Sequence, residues 1–325
     1  MIDKFGLNAY NANNDRLKYG QSDKPWADFA KDSMLDADGR RFMSMLESNP
    51  DDPPGVEGTK VENAEYYPIN GEPFLKGNDE TDVHPNDVTQ GQLGDCYLLA
   101  SLAAVAVKNP DLIKDMIQEN PDGTYTVTFN KKNSPFAIRK PAQEEVQITV
   151  KPEFPATQDG DNLDWAFADP GDMEGENNEF WVMLIEKAYA KWQGGYHNIE
   201  GGSPSNAMFQ ITGAESESLR AGSMTAERLN DLYNNNAVSV LTHNDLKLDF
   251  FGRQFDIPDV TDNVDLYRKN GGDLFTDHAY YVTDVDVENE TVAIRNPHGW
   301  NRGEITLTID EFNKAFSRVD VNPAY

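Results

Sequence analysis

Apolar residues in the middle of the chain recur at intervals of three and four, the spacing of one face of an α-helix. Three segments show this pattern. The first covers positions 95–108, and the second begins with Asn109 as N-cap and Pro110 in the first turn. The third is "NNEFWVMLIEKAYAKWQGG", in which Gly194 is predicted to end the helix. The predicted inward residues are Leu98, Leu99, Leu102, Val105 and Ala106, then Leu112, Ile113, Met116 and Ile117, then Phe180, Trp181, Leu184, Ile185, Ala188 and Tyr189. Weaker helical spacing in "KPWADFAKDSMLDADGRRFMSMLES" predicts one or two short helices near the N-terminus.

Alternating apolar and polar residues predict strands in the remaining segments. "GTYTVTFN" and "EEVQITVKP" form one predicted pair, and "NNAVSVLTH", "HAYYVTDVDV", "ETVAIRNP" and "GEITLTI" follow after "EGGSPSN", with "DEFNKAF" as a final short helix. The fold class is therefore α+β. We place a boundary at Gly201 and Gly202, which gives an N-terminal extension (1–80), a helical subdomain (81–202) and an antiparallel β-subdomain (203–325). Two unlike halves of one chain favour a site in the cleft between them.

The net charge of the chain excludes some classes of binding partner. The 325 residues carry a formal net charge of -28, and such a surface repels phosphate backbones and anionic lipid. We therefore expect neither nucleic acid nor a membrane as partner; the oligomeric state is unknown. The N-terminus has no apolar run typical of a Sec signal peptide, which predicts a cytoplasmic protein or one secreted by another route.

The only cysteine, Cys96, lies where the first predicted helix begins, directly after Gly94 and Asp95. A thiol reacts as its thiolate, and the free amides and positive dipole end of a helix N-terminus lower a thiol pKa. A buried cysteine that only packs under the helix is the competing interpretation. The choice depends on whether the chain also supplies a base.

Of the five histidines, His278 begins a predicted strand whose partner strand ends at Asn296. Folding this hairpin brings the two residues within a few positions of each other, and an Asn carbonyl oxygen can then fix the imidazole tautomer. His84, His197 and His243 are typical loop or capping residues. The backbone N–H of Cys96 is a candidate oxyanion donor, and the side chain of Gln90 is a second one, although its spacing also suits an ordinary surface glutamine.

Four segments together resemble the calpain family of cysteine proteases. "QGQLGDCYLLASLAAV" is similar to the family's nucleophile motif, Q-G-x-L-G-D-C-W-L-L, and "EFWVMLIEKAYAKWQGGYHNIEGGSPSNAM" resembles the segment that closes its first protease subdomain. "DHAYYVTDV" matches the histidine strand G-H-A-Y-x-V, and "IRNPHGW" matches the asparagine turn R-N-P-W-G. The resemblance covers residues 82–318 in the family's order, and the compact plan is more like bacterial calpain-like proteins than animal ones.

The resemblance implies a papain-like core of two subdomains, and hydrolysis of internal peptide bonds in protein or peptide substrates through a thioester. Cys96 would be the nucleophile, His278 the general base and then acid, Asn296 the residue that orients the imidazole, and Gln90 the second oxyanion donor. Two alternative hypotheses of function remain. One is a catalytically silent peptide-binding module, and the other is a Cys–His acyltransferase or deamidase.

Three positions depart from the family pattern. Tyr97 replaces a Trp, Asp277 replaces the Gly before the histidine, and His298 replaces the Trp expected to shield the Asn–His pair from water. Trp300, two positions further on, is the candidate substitute for that shield.

The sequence requires no cofactor, and calcium is left open as an activator. The fragment "LDADGRRF" lacks the third ligand and the position-twelve glutamate of an EF-hand loop, and "TQDGDNLD" is another acidic turn. Solvated polar loops are the plainer interpretation in so acidic a chain, and we assign no metal ligand.

Overall fold

A computed structural model describes residues 53–61, 63–76, 81–133, 142–159, 162–171, 178–243, 247–250, 253–256 and 274–325. The short helices predicted near the N-terminus and the fragment "LDADGRRF" lie outside these residues. Helices and antiparallel sheets are both present, so the α+β class is confirmed.

The three predicted helices of the middle segment are all present. They are α1 (Cys96–Lys108), α2 (Pro110–Met116) and α3 (Trp181–Gln193). Asn109 separates the first two because its side-chain oxygen accepts a bond from the Leu112 N–H, as an N-cap does. Gly194 ends α3 at a φ of 89°, a left-handed conformation that glycine adopts without strain.

Helix α1 is buried on every side rather than along one face. All ten residues from Tyr97 to Ala106 are buried. The cause is its place in the fold, since α1 packs against other helices on one side and against strands of the second half on another. The helix that carries Cys96 therefore lies at the junction of the two halves.

The first half also contains small sheets. One has the order β1 (Glu65–Pro68), β6 (Glu153–Asp159), β7 (Asn162–Trp165), and another the order β3 (Ile117–Glu119), β4 (Tyr125–Lys132), β5 (Gln143–Val150). The second contains the predicted pair of strands. Two short strands, β2 (Gly71–Glu72) and β8 (Asn178–Glu179), pair in parallel. The segment "TQDGDNLD" forms the end of β6 and the beginning of β7, and its residues 160 and 161 lie outside the described residues.

The second half is built on a six-stranded antiparallel sheet. In spatial order its strands are β15 (Glu304–Thr308), β14 (Thr291–Arg295), β13 (Ala279–Asp286), β10 (Ala237–Thr242), β16 (Phe316–Asn322) and β9 (Glu217–Arg220). In a separate two-stranded sheet, β11 (Lys247–Phe250) pairs antiparallel with β12 (Arg253–Asp256). Hydrophobic side chains form two large clusters. One lies mostly in the first half and also includes Ala207, Met208 and Ile211 of the second half, and the other lies in the second half.

The described residues after position 202 include three α-helices, and the sequence predicted only one of them. The final helix, α6 (Ile309–Ala315), was expected, but α4 (Pro204–Thr212) and α5 (Ala226–Asn235) were not. Helix α5 has a recognisable N-cap, because the Thr225 hydroxyl accepts from the Arg228 N–H, but its apolar residues are sparse. Within the part of the chain described above, no helix has the length and hydropathy needed to cross a membrane.

Candidate active site

Cys96 is the first residue of α1. The N–H groups of Leu98 and Leu99 both donate to the Asp95 carbonyl oxygen, so the helix begins where the sequence predicts and the thiol lies in its first turn. The cysteine is free and half-buried. Burial raises the pKa of its thiol to about 11, which reverses the lowering expected from the helix N-terminus. Desolvation therefore outweighs the helix amides in the resting protein.

The thiol also faces the second half of the chain. The backbone N–H of Ala279 donates towards the Cys96 sulfur and opposes the rise of the thiol pKa. Ala279 directly follows His278 and begins β13, a strand that packs against α1. The cysteine from one half and the histidine segment from the other therefore meet at the junction.

His278 and Asn296 are hydrogen-bonded, as the predicted hairpin requires. The His278 Nε2 atom lies 2.9 Å from Asn296 Oδ1, and both side chains are buried. The backbone N–H of His298 donates to the same Oδ1 at 3.1 Å. Because a backbone N–H can only donate, this contact identifies the atom as the amide oxygen, so Nε2 carries the ring proton. Nδ1 is then the nitrogen that can accept a proton.

Thr242 holds the backbone of the histidine in place from the neighbouring strand β10. Its hydroxyl accepts from the His278 N–H at 3.0 Å, and its own N–H donates to the His278 carbonyl oxygen at 3.1 Å. Burial lowers the pKa of the His278 imidazole to about 4, opposed by the Asn296 hydrogen bond. The ring is therefore neutral near pH 7.

Gln90 is attached to the asparagine turn through its backbone. Its N–H donates to the Pro297 carbonyl oxygen at 2.7 Å, and its carbonyl oxygen lies 3.0 Å from His298 Nδ1. Its buried side chain donates from Nε2 to the Leu93 carbonyl oxygen at 2.7 Å, which leaves the second hydrogen of Nε2 for another acceptor. Gln90 is thus a buried residue of the site rather than a surface glutamine.

His298, which stands where the family has Trp, packs its ring on that of His278. Its ring is parallel to that of His278, with an interplanar angle of 4° and centroids 5.3 Å apart. The side chain of Trp300, the expected substitute, lies outside the described residues. The smaller imidazole can take this position because its Nδ1–H is held by the Gln90 carbonyl oxygen.

The other two departures from the family pattern also lie at the site. The Tyr97 ring packs so closely on Gly202 that an added Cβ there would lie 2.4 Å from ring atoms. Asp277 is exposed at a φ of 51°, a left-handed conformation that Asp tolerates better than most residues. Its charge contributes to raising the Cys96 pKa.

A buried carboxyl pair next to Cys96 was missed at the sequence level. Asp95 is fully buried and neither of its oxygens makes a hydrogen bond to a described residue. Glu186 of α3 is also buried, and it accepts from the Ala168 N–H. The two carboxyl groups interact without a hydrogen bond of ordinary length, and burial raises the pKa of Asp95 to about 7 and that of Glu186 well above its usual range. The sequence signal that could have indicated this pair is Glu186 itself, a charged residue between the predicted inward residues Ile185 and Ala188.

The described residues show no evident cluster of calcium ligands. In the described ranges, no group of three or more His, Cys, Asp or Glu side chains could hold a metal ion. The buried carboxylates Asp87 and Glu179 both lie close to Gly171, and each has a protein donor: the Trp181 Nε1–H for the first and the Leu75 N–H for the second.

One cavity, of about 410 Å³, lies at the opposite end of α1 from the thiol. Its lining includes Ala106 and Val107 of that helix together with Tyr281 and Arg295. Ten helical residues span about 15 Å, so this cavity is separate from the site around Cys96.

Comparison with known proteins agrees with this architecture. The family model described as calpain family cysteine protease matches residues 72–321. Similar proteins include calpain-9 of Rattus norvegicus (28% identical over 254 residues, 75% of this chain and 31% of that protein) and the calpain-1 catalytic subunit of Bos taurus (32% over 243 residues, 72% and 30%). The calpain-type cysteine protease DEK1 of Zea mays is 30% identical over 220 residues, 66% of this chain and 9% of that protein.

A core of two unlike halves, with a thiol on a helix of one half facing a histidine strand of the other, is typical of cysteine proteases. The chain belongs to the calpain family of cysteine proteases. It spans about a third or less of the length of these relatives.

Proposed function

We propose that this chain is a calpain-like cysteine endopeptidase that hydrolyses internal peptide bonds through a thioester intermediate. Cys96 is the nucleophile, His278 the general base and acid, and Asn296 the residue that fixes the imidazole. The observation that carries the proposal is the Asn296 Oδ1–His278 Nε2 hydrogen bond beside a thiol that receives the N–H of the next residue, Ala279.

The first step transfers the thiol proton to Nδ1 of His278 while the sulfur attacks the carbonyl carbon of the substrate. Burial disfavours an isolated thiolate, because it raises the pKa of Cys96 to about 11. It also disfavours an isolated imidazolium, because it lowers the pKa of His278 to about 4. The two charges are therefore favoured only when they form together, side by side. Asn296 supports this step because it accepts the Nε2–H and stabilises the cation.

The negative charge that develops on the substrate oxygen needs donors. The Cys96 backbone N–H at the start of α1 is one, and the second hydrogen of Gln90 Nε2 is the other. The imidazolium then protonates the leaving amine, the C–N bond breaks and the thioester forms. Water, deprotonated by the neutral His278, attacks the thioester, and the returning proton restores the thiol.

The experiment compares purified protein with a Cys96→Ala variant on unfolded casein, with product termini read by mass spectrometry. New internal chain ends from the unmodified protein and none from the variant support the proposal. Capture of casein without cleavage would indicate the silent binding module instead. Ammonia release or amine incorporation without new chain ends would indicate the acyltransferase or deamidase. Parallel arms with calcium and with a chelator test whether calcium activates the reaction.

A further inference from the structure

Phe275 is an apolar side chain that the fold leaves in solvent next to the catalytic imidazole. Among the described residues only two large hydrophobic side chains are exposed: Phe275, at 42%, and the C-terminal Tyr325, at 86%. A single exposed apolar residue on a surface is ordinary. The surroundings of Phe275 set it apart from such a case.

The backbone of Phe275 is held at both ends. Its N–H donates to the hydroxyl of Tyr280 at 2.6 Å, and its carbonyl oxygen accepts from the hydroxyl of Thr242 at 2.8 Å. Tyr280 and Thr242 are fully buried, and the preceding Leu274 belongs to the hydrophobic cluster of the β-half. The exposure of the ring is therefore a fixed feature of the position and does not come from a loosely attached loop.

The ring also touches the site directly. Phe275 lies edge-on to the His278 ring, with centroids 5.7 Å apart and an interplanar angle of 81°. It meets the covering His298 ring in the same way, at 6.4 Å and 77°. One part of the Phe275 ring thus packs on the imidazole pair, and the rest is open to whatever occupies the cleft.

Under the proposed function, the His278 side of the cleft is the leaving-group side. The imidazolium must deliver its proton to the departing amine nitrogen, which belongs to the residue just after the cleaved bond, the P1′ residue. A side chain that packs on the imidazole and faces solvent is therefore placed to contact the P1′ side chain.

We propose that Phe275, held by Tyr280 and Thr242 against the His278 ring, is a specificity-determining residue that selects a large apolar P1′ side chain. This inference rests on the proposed peptidase function and names the substrates that it prefers. Apolar contacts of this kind discriminate between side chains by factors of about 10 to 200. We expect a Phe275→Ala variant to lose at least about 10-fold of its preference for Leu or Phe over Gly at P1′.

The test digests casein with the unmodified protein and with Phe275→Ala and Phe275→Leu, and identifies the new N-termini by mass spectrometry, since each new N-terminus is a P1′ residue. Tyr325→Ala is the matched control because it removes the only other exposed large apolar side chain among the described residues. The rate of Cys96 alkylation by iodoacetamide reports whether each variant keeps an intact site.

The expected result is enrichment of large apolar residues at P1′ in the unmodified protein and in Tyr325→Ala, its loss in Phe275→Ala and its recovery in Phe275→Leu. An unchanged P1′ distribution in Phe275→Ala, or a change confined to the residue before the cleaved bond, would overturn the inference and leave the peptidase function standing. Absence of cleavage by the unmodified protein would overturn both.

Discussion

Replacing His298 with Phe should raise the pKa of His278. The two imidazoles are parallel with centroids 5.3 Å apart, so each opposes protonation of the other, and the His298 charge is one of the causes that hold the His278 pKa low. His298 is the less buried of the two and is expected to take up its proton first as the pH falls. His278 must then protonate beside a cation.

The size of the effect follows from that distance. Two unit charges 5.3 Å apart repel by about 0.8 kcal/mol in water and by about 3 kcal/mol at an effective dielectric constant of about 20. These energies correspond to about half a pH unit and about two pH units. Because the pair lies between bulk water and a dry interior, the pKa of His278 should rise by an amount within that interval.

The assay is an NMR titration of the imidazole carbons in a Cys96→Ala background, which prevents self-digestion. The matched control is His197→Phe, which changes an exposed histidine in a short helix of the other half. An upward shift of the His278 midpoint in His298→Phe alone is expected. A midpoint that does not move would refute the electrostatic coupling, and a downward shift would mean that the stacked ring stabilises the imidazolium.

Two further predictions concern residues around the thiol. Gln90→Ala should lower kcat by about 10² to 10³, with Cys96 alkylated at an unchanged rate, because an oxyanion donor acts on the developing charge and not on the resting thiol; an equal loss in both assays would contradict that role. Asp95→Asn should flatten the pH dependence of stability. Burial raises the Asp95 pKa from 3.8 to about 7, so the group favours the folded state fully below about pH 3.8, and that contribution is lost progressively as the pH rises to about 7. Urea unfolding at several pH values between 4 and 8 measures the free energy of unfolding. Equal slopes of that free energy against pH in the variant and the unmodified protein would show that Asp95 is not protonated in the folded state.

The sequence was informative where the chemistry depends on local order. The turn at Gly94 and Asp95 predicted that Cys96 lies in the first turn of a helix, and one hairpin predicted that His278 and Asn296 meet. Both follow from short-range geometry, a helix start and the pairing of adjacent strands, which residue patterns report directly.

Contacts made across long stretches of sequence were not predictable in this way. The approach of Glu186 to Asp95 joins helix α3 to the residue before α1, and the backbone of Phe275 is held by the hydroxyl of Thr242, 33 residues away in β10. The stacking of His298 on His278 and the rise of the thiol pKa depend on how tightly the two halves close, a property of packing that no spacing of residues expresses.

The central claim is that the imidazole of residue 278 receives the proton of the only thiol in the chain. The most direct measurement is the rate of Cys96 alkylation by iodoacetamide across pH 5 to 9 in the unmodified protein, in His278→Ala and in the control His197→Ala. The account predicts that at pH 7 His278→Ala reacts about 10²-fold more slowly than the other two proteins, because the buried thiol has then lost its base. Equal rates in all three proteins would contradict it.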